Sequence, residues 1–292
     1  MVGQSQERDM KVAGGNLAIL IPSSFGSEER DERIRTYKIG QVARAASVFR
    51  VDDIYIYRDE DRDDSRLIDL VLRYAETPQY LRKLLFPKRR ELKYAGVVPP
   101  LRTPHHPTTS DTSKTNIGDI RTGVVTKVGS DGSAWVELGL ESPAPLRNPK
   151  GVKVGQRIDV RIFSKTPLTV EYIAREHIPT YWGYRTHVCG PLHSTLSALR
   201  SRGWWVLGTS REGRPLDANA LIALKGHMSG RVCVVFGSQK RGIREMLSAH
   251  VGDGWRQHFD EVLNTIPNQG THTVRAEEAL MATLALLNIV RS

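Results

Sequence analysis

"FDEVLNTIPNQGTHTVRAEEALMATLALLNI", Phe259–Ile289, decides how this chain is read. A short apolar run stops at Asn264. A polar loop carrying Gly270 follows, and then a helix that is apolar on most of its faces. Two more runs share the first part of this pattern. "WWVLGTS" (Trp204–Ser210) and "RVCVVFGS" (Arg231–Ser238) are continuously apolar and end in small polar clusters. Unbroken apolar runs of this length are what strands of a parallel sheet become when both faces are covered. In open parallel sheets, ligands gather beyond the carboxyl ends of the strands. Three successive strands ending in glycine-bearing loops therefore predict one shared pocket, since glycine lets the backbone approach a ligand closely.

The N-terminal part has the same character. "NLAILIPSSF" (Asn16–Phe25) reads as a buried strand. Ser27, Glu28 and Glu29 read as a helix start, with acids at the positive end of the dipole. Ile39, Val42, Ala46 and Phe49 then recur at helical spacing, a core face. "VDDIYIYRD" (Val51–Asp59) is a second strand, so strand, helix and strand predict a right-handed parallel crossover. The acidic "DEDRDDS" (Asp59–Ser65) lacks the glycine and terminal glutamate of a calcium loop and reads as solvated. Helices follow near Ser65–Ala75 and Pro78–Phe86.

The composition changes at "VVPPLRTPHHPTTSDTSKTN", a Pro/Thr/Ser-rich boundary in which His105 and His106 have no ligand-spaced partners. Beyond it, "DIRTGVVTKV" and "SAWVELGL" alternate around the turn "GSDG", and "QRIDVRIFS" and "LTVEYIA" alternate around "KTPL". Four such strands predict a small all-β unit of OB-like size. That unit is either a single-strand nucleic-acid binder or a plain structural barrel. The predicted class is thus α/β, a mostly parallel sheet flanked by helices, formed by residues 1–104 and 181–292, with an OB-like barrel inserted at 105–180.

Composition narrows the function. The chain has 292 residues, a net charge of +10 and a pI near 9.7. Residues 82–104 carry 7 basic and 1 acidic side chains, so this short span holds +6 of the excess. Clustered cations of this kind are the footprint of a phosphate-backbone binder, or else a solvated helix end. Arg82, Lys83, Lys88, Arg89, Arg90 and Lys93 are the RNA-contact candidates there, with Arg44 on the first helix; Arg33 and Arg35 share that helix. No apolar run is long enough to span a bilayer, and "MVGQSQERDMKVAGG" lacks the apolar stretch of a secretory signal. The two cysteines, Cys189 and Cys233, make no disulfide framework, so a cytoplasmic protein without a metal site is expected. "GSQKRG" (Gly237–Gly242) matches neither a dinucleotide fingerprint nor a phosphate loop, which favours an adenosine-type ligand over NAD or ATP.

"VVFGSQKRGI", "NTIPNQGTHTVRAEEALMATLALLNI", "RAASVFRVDDIYIY" and "YWGYRTHV" together resemble the SPOUT superfamily of RNA methyltransferases, in its archaeal and eukaryotic branch with an inserted OB-like domain. The resemblance covers nearly the whole chain. It implies S-adenosylmethionine as cofactor, RNA as substrate (ribosomal more than transfer RNA), a deep trefoil knot and a homodimer. Carried onto this sequence, it implies cofactor contacts at Gly208, Thr209 and Ser210, at Phe236, Gly237, Ser238 and Gly242, and at Asn264, Ile266, Pro267, Gln269, Gly270, Thr271 and Val274. Adenine is expected among backbone groups near Ile266 and Gly270, so Gly270→Trp is expected to fill the pocket. Other branches have glutamate where this chain has Gln239, and the ribose-methylating signature is not visible; both favour a base nitrogen, uridine N3 being a candidate. Arg275 and Arg241 are the catalytic candidates, as cations that favour an anionic acceptor, with Lys240 beside them. Glu277 is either a base or a dipole-compensating acid, and His187 and His193 read as core or surface residues. The rival functions are a non-catalytic RNA-binding or ribosome-assembly factor with this fold, and an enzyme using another adenosine-type ligand.

Overall fold

The protein is described from a computed structural model, over residues 15–291. The N-terminal stretch read above for a signal lies largely outside them. The element order is β1 (Leu17–Pro22), α1 (Glu32–Val48), β2 (Asp53–Arg58), α2 (Ser65–Glu76) and the single turn α3 (Arg82–Leu85). Next come β3 (Ile120–Val128), β4 (Ala134–Glu137), β5 (Ala144–Arg147), β6 (Arg157–Lys165) and β7 (Leu168–Tyr172). The chain ends with β8 (Arg185–Pro191), α4 (Leu192–Ser201), β9 (Trp205–Pro215), α5 (Ala218–Leu224), β10 (Val232–Val235), α6 (Ile243–Val251), β11 (Glu261–Asn264) and α7 (Ala276–Arg291). Among the described residues no helix is long and apolar enough to cross a membrane.

Two compact units result, one holding Thr77–Arg90 and Arg102–Trp182, the other the remaining described residues. The larger unit is built on a six-stranded sheet in the order β11-β9-β10-β1-β2-β8, with every neighbouring pair parallel. Its central strands are apolar at every position because each face has its own core. On β1, Leu17, Ile19 and Ile21 meet α1, α2 and α7, while Ala18 and Leu20 meet α4 and α6. On β10, Val232 and Val234 divide from Cys233 and Val235 in the same way. The two-residue period of a strand sends alternate side chains to opposite faces, and here both faces are dry.

The first helix starts later than its sequence suggests. Ser23–Glu28 turns instead, with Gly26 at φ +73°, and Asp31 caps α1 by accepting from Arg33 N at 2.7 Å. Glu28 and Glu29 are drawn away to pair with Lys38. Ile39, Val42 and Ala46 are buried in the core, and Phe49 packs at its edge. The acidic loop is also less solvated than expected. Asp59 is buried, accepting from Ser24 and pairing with Arg241, while Asp63 accepts from Ser65 N at the start of α2.

The smaller unit closes β3-β4-β5-β7-β6 into a barrel around Val125, Val136, Leu146, Val160, Ile162 and Val170. It has one strand more than the four read from sequence. β5, "APLR", is short and carries Pro145, which cannot donate to a ladder and so hides a strand from pattern reading. His105, read as a linker residue, is fully buried in this unit against the Trp182 ring, 5.7 Å away between centroids.

Candidate functional site

Because β11, β9 and β10 are neighbours and run in one direction, the loops that leave their carboxyl ends converge. They enclose a cleft of about 240 Å³. One wall is Thr209–Glu212. A second is Phe236–Lys240 with Gly242, Arg244 and Glu245. The third is Asn264–Ile266, Gln269, Thr273 and Val274, closed by Ala276 and Ala279 of α7.

The first wall exists because β9 leaves its ladder and rejoins it. Gly208 pairs with Val262 and Arg214 with Leu263, so five residues of β9 stand opposite no residue of β11. The excursion carries Thr209, Ser210, Arg211 and Glu212 into the cleft. Gly213 brings the chain back so close that a Cβ there would lie 2.4 Å from the Leu263 carbonyl carbon. Gly208 itself is buried beneath the excursion, against Ile243 and Phe259.

The second wall is a tight loop. Ser238 N donates to Arg241 O at 2.9 Å, and Arg241 N donates to Ser238 Oγ at 3.0 Å. A Cβ on Gly237 would meet Arg241 O at 2.8 Å, so this closure also requires glycine. From below, the fully buried Tyr57 hydroxyl donates to Phe236 O at 2.8 Å, and burial holds its pKa well above the ordinary tyrosine value. Thr209 Oγ1 donates to Val235 O at 2.8 Å, joining the first wall to the second. The third wall is anchored by the buried Thr265–Thr283 hydroxyl pair at 2.7 Å and by Ile266 N, which donates to Asn264 Oδ1 at 3.1 Å.

Of the residues expected to touch a cofactor, Thr209, Ser210, Phe236, Gly237, Ser238, Gly242, Asn264, Ile266, Gln269 and Val274 line this cleft. Gly208, Pro267, Gly270 and Thr271 are not among the lining residues. Gly270 is exposed, with no atom within 4 Å of a would-be Cβ, so a tryptophan there has open space to occupy. Neither cation named for catalysis lines it. The Arg241 guanidinium turns to Asp59 at 3.2 Å and Asp61 at 3.0 Å, tying the loop after β10 to the loop after β2. Arg275 is exposed just before α7, its N–H donating to Glu278 at 3.0 Å. Glu277 pairs with Lys38 at 3.5 Å.

Several lining residues lie beyond those named from sequence: Arg211, Glu212, Arg244, Glu245 and Ala279. "REG" after Ser210 has no apolar signal, and only the ladder reveals that the strand resumes behind it. Arg244 and Glu245 sit in the first turn of α6, whose start faces the cleft. The lining is mixed. Phe236, Ile266, Val274, Ala276 and Ala279 are apolar; Ser210, Ser238, Gln239, Asn264 and Gln269 are polar. The Gln239 Oε1 is buried with no hydrogen-bond partner in the protein, an acceptor still to be satisfied. At the rim Arg244 pairs with Glu212 at 2.9 Å, Arg211 donates to His272 O at 3.0 Å, and Lys240 is exposed alongside. An apolar slot edged with uncharged donors and acceptors suits a nucleoside base and ribose, and the mixed rim suits a zwitterionic tail.

The cationic stretch divides between the units. Lys83, Lys88, Arg89 and Arg90 are exposed in the smaller one, where Arg82 is half-buried and donates to Thr77 O at 3.0 Å. Lys93 is exposed in the larger, 4.8 Å from the Tyr94 ring. Arg44 and Arg35 do not share that exposure. Arg44 donates to Leu101 O at 2.5 Å, and the buried Arg35 pairs with Asp64. His187 bonds Asp53 at 2.7 Å, both from β8 and the start of β2, at the amino-terminal side of the sheet.

A family model described as "Putative RNA methyltransferase" matches residues 16–287. An uncharacterized protein of Halobacterium salinarum is 38% identical over 288 residues, covering 93% of this chain and 98% of its own. A human 28S rRNA (uridine-N(3))-methyltransferase is 28% identical over 306 residues, covering 93% of this chain and 77% of its own. Among solved structures, the SpoU methyltransferase AviRb of Streptomyces viridochromogenes, in complex with the cofactor AdoMet, aligns with a TM-score of 0.38 at 10% identity, covering 97% of this chain and 62% of that one.

Proposed function

The chain belongs to the RNA methyltransferase family, and from that premise we propose that it methylates a base nitrogen of ribosomal RNA, uridine N3 foremost, with S-adenosylmethionine as donor. One observation carries the reading: the loops after three adjacent parallel strands meet in a single cleft whose lining alternates apolar slot and polar rim. The named activity of the human relative supports the choice of a uridine nitrogen. So does Gln239 in the loop where other branches carry glutamate.

Residues from Thr209–Ser210, Phe236–Gly242 and Asn264–Val274 would hold the cofactor, which supplies an already activated methyl group. The protein's task is then alignment and exclusion of water. Phe236, Ile266 and Val274 offer apolar surface to a base; Gln239 Oε1 and Gln269 Oε1 offer acceptors to its polar edge. A uridine N3 acceptor must also lose its proton as the new bond forms. With Arg241 committed to Asp59 and Asp61, the exposed lining cation Lys240 would favour the deprotonated acceptor. Glu245 is the lining carboxylate without a cation among its pairs here, and it would take the proton.

The trefoil knot, the OB-like character of the barrel, a cytoplasmic location and the homodimer belong to this same proposal. For the homodimer, support comes from α1 and α7, which pack together yet leave Ile34, Tyr37, Met281 and Ile289 exposed. The test is calorimetry with S-adenosylmethionine, followed by transfer of labelled methyl to unmodified ribosomal RNA. Val274→Trp places its ring in the cleft and is expected to weaken cofactor binding at least about tenfold, with the melting temperature little changed. If the cofactor gives no heat, the cleft assignment fails. If it binds but no RNA takes label, a non-catalytic RNA-binding factor is the reading that remains.

A further inference from the structure

The barrel carries a band of outward side chains that the cofactor cleft does not use. Strand register lines them up. Lys127 of β3 stands opposite Trp135 of β4, Trp135 opposite Pro145 of β5, and Arg147 of β5 opposite Glu171 of β7, which faces Arg161 of β6. Phe163 follows two residues along β6. Lys127 Nζ lies 5.0 Å from the Trp135 ring centroid, and the Arg147 guanidinium lies 3.4 Å from that of Phe163. Lys127, Arg147 and Arg161 are exposed, and Phe163 is 44% exposed.

A single exposed phenylalanine means little. Cation–aromatic pairs, however, occur about once per 70–80 residues, and this barrel of little over fifty residues presents two in one band. A guanidinium stacked on a ring keeps its other face for a further planar group. Glu171 is bound by Arg161 through Nε at 3.0 Å and Nη2 at 2.6 Å, and Glu137 accepts from Gly139 N at 2.6 Å. The band therefore stays positive through Lys127 and Arg147. Alternating planes and cations complement unpaired nucleotides, whose bases stack and whose phosphates need charge. A duplex hides its base faces. An acidic peptide would satisfy the cations and leave the planes without a use.

We propose that this band is an RNA-contact surface, on which unpaired nucleotides of the substrate stack against Phe163, Arg147 and Trp135 while Lys127 holds phosphate. The inference rests on the reading of the chain as an RNA methyltransferase and extends it to residues with no part in cofactor binding.

Fluorescence anisotropy with a labelled oligouridylate of about 12 nucleotides, and with an RNA duplex of the same length, tests it in the full-length protein. The wild type is expected to prefer the single strand. Phe163→Ala combined with Arg147→Ala is expected to weaken that binding at least about fivefold. It should also flatten the dependence of log K on log salt by about 0.7 for the lost arginine. Phe163→Tyr, which keeps the plane, should stay within about twofold of wild type. Calorimetric S-adenosylmethionine affinity should be unchanged in both variants. Because these side chains point outward, the melting temperature should hold. If the double variant unfolds, Arg147→Lys decides, since it keeps the charge and loses the plane, and wild-type affinity in it overturns the proposal. Undiminished binding by the double variant, equal losses for strand and duplex, or no single-strand binding by the wild type also overturn it; undiminished binding would turn attention to a protein partner. Absent cofactor binding by the wild type, with the loss in the double variant intact, counts against the cleft and not against this surface.

Discussion

Lys38 keeps its charge with a side chain only 5% exposed, because three carboxylates reach it: Glu28 and Glu29 at 2.7 Å and Glu277 at 3.5 Å. Burial opposes that charge, yet the hydrogen bonds that the ammonium donates to Glu28 and Glu29 outweigh it and raise the lysine pKa above its ordinary value. The ammonium thus ties the loop after β1 and the start of α7 to α1. At the other end of the sheet, burial opposes ionisation of Asp53, but the hydrogen bond from His187 and the charge of Arg185 overcome it and lower the aspartate pKa. A carboxylate whose folded pKa is depressed adds stability above its unfolded pKa and loses it as pH falls toward the folded one. Asp53→Asn is therefore expected to cost about 2 kcal/mol at pH 7. The gap from wild type should narrow below about pH 4, read from denaturant melts across that range. The carboxylates themselves are plain in the sequence. Their partners, 132 and 134 residues away for Asp53, are not.

β9 shows how an element can be half legible. "WVLG" has the apolar continuity of a buried strand, and the reading that ends it at Ser210 follows from the charged "REGRP" behind. Pairing with β11 makes that segment part of the strand, and the intervening excursion builds a wall of the cleft. Gly213→Ala is expected to cost about 1–3 kcal/mol through overpacking against the Leu263 backbone. Because the excursion would shift, cofactor affinity should fall with it; melting and calorimetry on one preparation check both. A melting temperature equal to wild type would show that the close approach is not needed. β8, "RTHVCGP", is an edge strand with polar residues along it and carries too little apolar pattern to announce itself. α7 begins at Ala276, since the loop before it spends its backbone on Gln269 and Arg211, which donate to carbonyls of Thr271 and His272.

At the scale of the molecule, α7 packs inward through Leu280, Leu284 and Leu287 and outward shows Met281 and Ile289. Beside it α1 shows Ile34 and Tyr37. Tyr37→Glu with Met281→Glu is expected to shift the protein from dimer to monomer in analytical ultracentrifugation, since two charges cannot be buried unpaired in an interface. A wild type that sediments as a monomer at all concentrations would remove the dimer from the proposal.

By itself the sequence determined the elements whose stability is local or purely apolar: strands dry on both faces, an amphipathic α1, alternating barrel strands, and glycine at the loop ends. Those signals survive in one dimension because period and burial are written residue by residue. Only the tertiary structure decided which cations are spent on carboxylates, that Arg241 braces a loop while Lys240 borders the cleft, and that "REGRP" completes a strand. Each of these depends on a partner far along the chain, and a long-range pairing leaves no mark on the local pattern of either partner.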